Sequence, residues 1–368
     1  MEDMTDVFIV GGGPAGLAAA IAARERGFRV TVADGCRPPI DKACGEGLMP
    51  DSLVALRRLG ITVDPEEGAA FQGIRFRDAD SVVEACFHSG VGIGMRRPAL
   101  HARMMEHTAA CGVTMLWETP VSGLWSGGVI AAGRRVRARW IIGADGSSSM
   151  VRRWAGLESS MYNERRFGYR RHFRLTPWTD YMEVYWGRTL QVYTTPVGPE
   201  EICVAVLSRD PGLRLAQALR EFPHLAARLE AAEPADTERG AVTAMHRLHR
   251  VCGERIALLG DASGSVDAIT GEGLGLAFRQ AVVLADALEA GDLALYQAAH
   301  RRLSRRPSVM ARLMLALDGR AALRRRTLRI FASEPRLFAQ LLAVHVGARP
   351  AADLAATGLA LSWRLLTA

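Results

Sequence analysis

The stretch DVFIVGGGPAGLAAAIAARERGFRVTVADG, Asp6–Gly35, decides the fold. Val7–Val10 is a short apolar β-type run that breaks into three glycines. Leu17–Arg26 reads as a helix of mostly small residues, and Arg29–Ala33 is a second β-branched run. Together they predict a βαβ unit with a tight first turn. Gly11-Gly12-Gly13-Pro14-Ala15-Gly16 fits the spacing G-x-G-x-x-G. Gly11 permits the turn, Gly13 lets the backbone approach a pyrophosphate, and Gly16 lets the helix pack closely on the strand. The helix start at Pro14 and Ala15 offers free N–H groups and a positive dipole end to phosphates. Asp34 lies 18 residues beyond Gly16, where a carboxylate can accept hydrogen bonds from ribose hydroxyls. The alternative is an ordinary βαβ turn that needs its glycines for packing.

Further along, Asp51–Leu59 and Ala99–Ala110 read as helices. Trp140–Ile142 and Ile256–Leu259 are buried-strand signals, each followed by Gly and Asp, and helix Gly273–Ala290 follows the second. The middle differs. Phe167–Leu175, Tyr181–Trp186, Leu190–Thr195 and Ile202–Leu207 are short aromatic or β-branched runs separated by turn-like stretches. They predict an antiparallel sheet joined by Val82–His88. The chain is expected to turn helical after residue 211, and to stay helical from Leu293 onward. The expected fold is α/β: a Rossmann-like nucleotide domain (1–75, 96–160 and 245–300), interrupted by an antiparallel-sheet substrate domain (76–95 and 161–244), with helices at 301–368.

The 368 residues carry a net charge of +7, unevenly spread. Residues 301–330 hold ten arginines against one acid, Asp318, which is not the pattern of a uniformly basic nucleic-acid binder. That segment is instead a candidate contact for a membrane surface or a carrier protein. Leu313, Leu317, Ala321 and Arg324–Arg326 fit an amphipathic helix on anionic lipid; the alternative is a helical lid with solvated arginines. No window is long and apolar enough to span a bilayer. The six cysteines form no C-x-x-C pair, so reduced thiols, no zinc site and a cytoplasmic location are expected.

Two further stretches join the glycine turn: WIIGADGSSSMVRR, with Asp145-Gly146 after a strand, and RIALLGDASGSVDAITGEGLGLAFRQA, with Gly260-Asp261 after another. With all three in this order, residues 4–300 resemble flavoprotein hydroxylases of the para-hydroxybenzoate hydroxylase fold, with geranylgeranyl reductases and flavin-dependent halogenases. The resemblance implies FAD, with Asp261 on a ribityl hydroxyl. It implies that Asp145 lies near the pyrophosphate and a pyridine-nucleotide path, so that NAD(P)H is the expected reductant. The helix start at Gly271, Gly273 and Leu274 would face the flavin N1–C2=O edge, where its dipole stabilises negative charge. Arg97, before the helix of MRRPALHARMMEHTAACGV, matches by position an arginine on the FAD side of the cleft.

KACGEGLMP (Lys42–Pro50) is similar to the loop of geranylgeranyl-reductase-like proteins and echoes the G-E-S-x-x-P stretch of halogenases. It implies that Cys44 and Gly45 touch substrate and makes Glu46 a catalytic candidate. Asp267, where hydroxylases carry proline, either helps proton delivery or caps a turn. In the sheet, alternate residues share a face. Gln191, Tyr193 and Thr195 lead into Pro196; Tyr181, Glu183 and Tyr185 form a second set; Tyr169, Arg171 and Phe173 form a third. One such face should roof the cleft, so Tyr185, Gln191, Tyr193 and Pro196 are substrate candidates, with Tyr193 also a catalytic one. His172 is a possible acid or base. The expected reaction is NAD(P)H- and O2-dependent hydroxylation of a small hydrophobic aromatic or polyketide-like compound. Reduction of an isoprenoid C=C is the alternative. VYTTPVGPEE only loosely matches the reductase signature Y-x-W-x-F-P. A halogenase, with Lys42 as its only lysine, and a membrane-bound FAD scaffold rank below these.

Overall fold

A computed structural model describes residues 4–158, 160–354, 357–359, 361 and 364. The chain opens with strand β1 (Met4–Val10), helix α1 (Pro14–Glu25) and strand β2 (Val30–Ala33). After β3 (Gly47–Leu48) and α2 (Pro50–Arg57) come β4 (Ala69–Phe71), β5 (Gly73–Arg77), β6 (Val82–Cys86) and β7 (Gly92–Gly94). Helix α3 (Arg97–Ala110) leads to β8 (Thr114–Leu116), β9 (Val121–Trp125), β10 (Gly128–Ala131), β11 (Arg134–Gly143) and the short α4 (Met150–Trp154). Then come β12 (Ser160–Arg174), β13 (Tyr181–Trp186), β14 (Leu190–Gly198), β15 (Glu201–Ser208), α5 (Leu215–Ala218), α6 (Pro223–Glu230), β16 (Glu233–Pro234) and β17 (Arg239–Leu248). Strands β18 (Ile256–Leu258) and β19 (Gly264–Ser265) precede α7 (Gly273–Glu289), α8 (Leu293–Asp318), α9 (Ala321–Ser333) and α10 (Pro335–His345).

The first sheet has the order β8-β2-β1-β11-β10-β9, with β18 also paired to β11; β8, β2, β1, β11 and β18 run parallel, and β10 and β9 join antiparallel. Parallel strands need a cover on both faces. Helix α1 supplies one, and its alanine-rich body, Leu17–Ala23, is wholly buried. A Cβ at Gly16 would lie 1.8 Å from the Gly11 carbonyl oxygen, so only glycine lets α1 start this close to β1. Helix α7 then packs against α1, with Phe278, Ala281, Leu284 and Ala285 in the same core. The predicted α/β order, interrupted by a sheet and closed by helices, is the order observed.

The second sheet has the order β19-β17-β12-β15-β14-β13-β5-β6, antiparallel except for the parallel pair β13 and β5. It reaches outside the segments expected for it. Strand β5 starts at Gly73, β17 continues to Leu248, and β19 adds residues 264 and 265. Gly92–Gly94, expected in it, belongs to a separate small sheet β3-β7-β4. The helical expectation after residue 211 also missed β17, because RGAVTAMHRL lacks a β-branched or aromatic run. One face of the large sheet packs on α8–α10 through Phe76, Val184, Trp186, Phe331 and Phe338. The other packs on α5 and α6 through Tyr185, Val192, Val204 and Leu225. Among the described residues, no helix is long and apolar enough to cross a membrane.

Candidate functional site

The glycine turn is built by the close approach of two strand ends. Gly11, at φ +108°, donates its N–H to Ala33 O at 2.8 Å, and a Cβ there would meet Ala144 O at 2.4 Å. Asp34 braces the turn from β2: its carboxylate accepts from Gly12 N at 2.7 Å and from Cys36 N at 2.8 Å. His101 of α3 braces it from below. Its Nδ1 accepts from Ile40 N at 3.3 Å, which puts the proton on Nε2, 2.8 Å from Gly12 O. Burial pulls the His101 pKa down, so a neutral ring donates this bond.

Gly11, Gly13, Pro14, Ala15 and Asp34 line one end of a continuous cavity of about 750 Å³. Gly16 is buried behind them as a packing residue. Arg97, Asp145, Gly260, Asp261, Gly271, Gly273 and Leu274 line the same cavity. Asp145 accepts from Met150 N at 2.7 Å and Val151 N at 3.1 Å, which caps α4 and fixes the turn at Gly146. Asp261 forms an ion pair with Lys42 at 3.0 Å across the rim. The residues fit an anionic dinucleotide. A Cβ at Gly13, Gly146 or Gly273 would meet nothing within 4 Å, so each leaves room for a ligand. Arg97 Nε is buried without a hydrogen-bond partner, a cation waiting for an acceptor.

Cys44, Gly45 and Glu46 lie farther along the cavity wall, with Asp267 and Tyr193 beyond. Burial pushes the Cys44 thiol up, so it stays protonated. Asp267 accepts from Ile269 N at 3.0 Å and so caps its turn. Burial raises its pKa, although Arg166, with Nε 3.6 Å away, pulls the other way.

Glu46 is the centre of a buried charge cluster. It accepts the Arg97 N–H at 2.9 Å, and its other oxygen accepts from His172 Nε2. The opposite ring nitrogen of His172 lies 2.7 Å from Asp236 Oδ2. Both nitrogens face carboxylates, so the ring is an imidazolium with two donors and no free lone pair for a metal. Burial alone would lower the His172 pKa. Hydrogen bonding and charge from Glu46, with the bond to Asp236, outweigh it and raise the pKa. Asp236 is pushed up by burial, but bonds from the His172 backbone and ring, with Arg170, hold it below the usual range. Arg170 is itself buried and bonds Asp236 at 2.6 Å and also Asp41.

Three substrate candidates lie outside the cavity. Tyr185 points to the opposite face of the sheet, where its hydroxyl donates to Glu183 at 2.8 Å and its ring packs on Phe222. Burial pushes Glu183 up, but donors from Tyr185, Trp178, Arg77 and Arg75 hold its pKa low, so it is a structural carboxylate. The cavity is faced instead by Met182, Val184 and Trp186, the other parity of β13. Gln191 is buried in the wall, donating to Asp318 at 3.2 Å and accepting from Tyr193 at 2.6 Å. Pro196 packs over Gly94, whose added Cβ would lie 1.8 Å from Pro196 O. In β12 residues of both parities reach the site. Tyr169 and Arg170 both line the cavity, Arg166 and His172 are buried on Asp318 and Glu46, and Phe173 packs toward α5 and α6. The apolar face read as lipid-binding is likewise turned inward: Leu313 and Leu317 line the cavity, and Arg324 is buried with its guanidinium on Gly187 O at 2.9 Å.

The FAD binding domain family matches residues 4–310 of the chain. Over 326 residues the chain is 28% identical to the menaquinone reductase of Mycolicibacterium smegmatis, covering 81% of this chain and 80% of that protein. Over 176 residues it is 35% identical to the 6-methylpretetramide 4-monooxygenase of Streptomyces rimosus, covering 42% and 41%. A solved flavoprotein/dehydrogenase from Cytophaga hutchinsonii superposes with a TM-score of 0.80 at 19% identity, covering 93% of both chains.

Proposed function

The chain belongs to the FAD binding domain family and is an FAD-dependent oxidoreductase, and from that premise we propose that it reduces a carbon–carbon double bond in a large, apolar, isoprenoid-like substrate. The observation that carries this reading is the buried line Glu46–His172–Asp236 beside an apolar chamber. Adding two hydrogens across a double bond takes a hydride at one carbon and a proton at the other. FAD, once bound and reduced by NAD(P)H, would supply the hydride. The chain's own residues manage the proton. Glu46 faces the chamber, His172 can pass its proton to Glu46 along their hydrogen bond, and Asp236 retains a partly exposed edge through which the ring is reprotonated. The chamber beyond Glu46 is walled by Met182, Val184, Trp186, Leu317 and Phe331, which suits a long hydrocarbon and excludes water.

For the cofactor, the glycine turn and the start of α1 would take the pyrophosphate, with Arg97 beside it. Asp34 would take the adenosine ribose and Asp261 the ribityl chain. Similarity to the reductase runs through most of the chain, whereas similarity to the monooxygenase covers less than half. That second likeness favours hydroxylation as the other reading, with the same relay accepting a phenolic proton. One experiment separates the two. The FAD-loaded protein, supplied with NADH or NADPH, is incubated with menaquinone, a geranylgeranyl lipid and a polyketide phenol, and products are read by mass. A gain of two hydrogens that survives air reoxidation of the quinone, or that falls on the geranylgeranyl lipid, supports the proposal, and a gain of one oxygen overturns it.

A further inference from the structure

We infer that the C-terminal helices build a polar subsite in the chamber, from Thr327 of α9 and His345 of α10, that receives a carbonyl oxygen on the substrate's head group. Both residues line the cavity, and both lie beyond residue 310, where the family match ends. Their surroundings on α8–α10 are otherwise apolar, including Leu317, Leu328, Phe331, Phe338 and Leu342.

Thr327 is completely buried, yet its Oγ1 has no hydrogen-bond partner. A helical threonine ordinarily returns its hydroxyl to the carbonyl one turn back. Thr108 does so to Met104 O at 2.7 Å and Thr357 to Asp353 O at 2.9 Å. Thr327 departs from that habit. His345 is more than nine-tenths buried, and its Nδ1 is also without a hydrogen-bond partner. It forms a long ion pair with Glu272 Oε2 at 3.5 Å, while Arg306 lies 3.4 Å from the other Glu272 oxygen, and neither atom of the His345–Glu272 pair has a hydrogen bond. A hydroxyl without a partner, and an imidazole held only by a long ion pair, can each donate to a carbonyl oxygen, and leaving them without a hydrogen bond costs stability. A quinone carbonyl is such an acceptor on a flat, apolar body. This identifies the head-group class, and it rests on reading the chamber as the substrate site.

The test uses the oxidised, FAD-loaded protein and equilibrium dialysis against menadione and against methylnaphthalene, its oxygen-free counterpart. The wild type should prefer menadione. T327V and H345L should each weaken menadione about tenfold, the loss of one hydrogen bond in a buried site, and leave methylnaphthalene unchanged. Unchanged menadione affinity in both variants would overturn the subsite. So would an H345L protein whose flavin absorbance shifts while menadione binding holds, since that would assign His345 to the cofactor. T327V keeps the side-chain shape, so the test survives if H345L fails to fold. Binding is read without turnover. A failure of double-bond reduction therefore leaves this result standing, and a failure here leaves the reductase reading standing.

Discussion

Glu46 holds a backbone conformation, φ +58°, that glycine adopts freely and glutamate rarely does. Its neighbours fix it there: Met95 N donates to Glu46 O at 3.0 Å, and the Arg97 N–H holds one carboxylate oxygen. The strain aims the other oxygen at His172. Glu46→Gln keeps the shape and removes the acid, so single-turnover product formation should slow about 100-fold while bound FAD is retained. The raised His172 pKa fixes the sign of the pH dependence. The imidazolium persists at pH values where a free histidine, near 6.5, has lost its proton. Turnover limited by this proton should therefore fall as pH rises through the folded-state pKa, and His172→Gln should abolish that alkaline limb. The ion pairs contribute stability below the unfolded-state value and lose it over the same rise. Asp261→Ala should weaken FAD retention by roughly 1.5–3 kcal/mol, the range for a charged acceptor, read as flavin remaining after gel filtration. Unchanged occupancy would remove Asp261 from the cofactor site. The glycines around Glu46 made it legible in the sequence. Asp236 was not legible, because it reaches His172 only through the pairing of strands far apart in the chain.

At the scale of elements, the first turn separates glycines that serve the ligand from those that serve the fold. Gly13 has ordinary extended dihedrals and open space where a Cβ would go. Gly13→Ala should melt like the wild type and lose FAD. Gly16→Ala drives a methyl into Gly11 O and should cost about 3 kcal/mol or unfold the chain, read as a lowered Tm. Together the two variants test whether the turn is a cradle or only a corner. The βαβ pattern was legible because glycine spacing and β-branched runs are local. Strand parity in the second sheet was not. Aromatic residues sit on both faces of it, since α5 and α6 cover one side and α8–α10 the other. Tyr185 and Tyr193 therefore look alike in sequence and end on opposite sides. Of the buried β12 charges Arg166, Arg170 and His172, Arg170 lines the cavity, as Tyr169 and Tyr193 do.

Across the whole molecule, the chamber exists only because the C-terminal helices close on the second sheet. Asp318, at the end of α8, fastens that closure. It accepts from Arg166, from Trp186 Nε1 at 3.1 Å and from Gln191 at 3.2 Å, all of them buried. Asp318→Ala leaves the Arg166 charge without its main partner and should cost about 3–5 kcal/mol. The lower Tm should be accompanied by faster proteolysis within residues 319–345. Composition marked Asp318 as the lone acid among ten arginines, but only the packing shows that it faces inward. The parallel sheet has a different whole-molecule consequence, one of timing. Strand β1 and helix α1 leave the ribosome well before β11 and α7, against which they pack. More than two-thirds of the chain is synthesised before the last of these emerges. Until then the alanine face of α1 is uncovered on a nascent chain, where chaperones can bind it. Nascent chains stalled before Gly273 should not hold FAD. Chains with α7 and the helices after it free of the exit tunnel should, so cofactor capture waits for those helices.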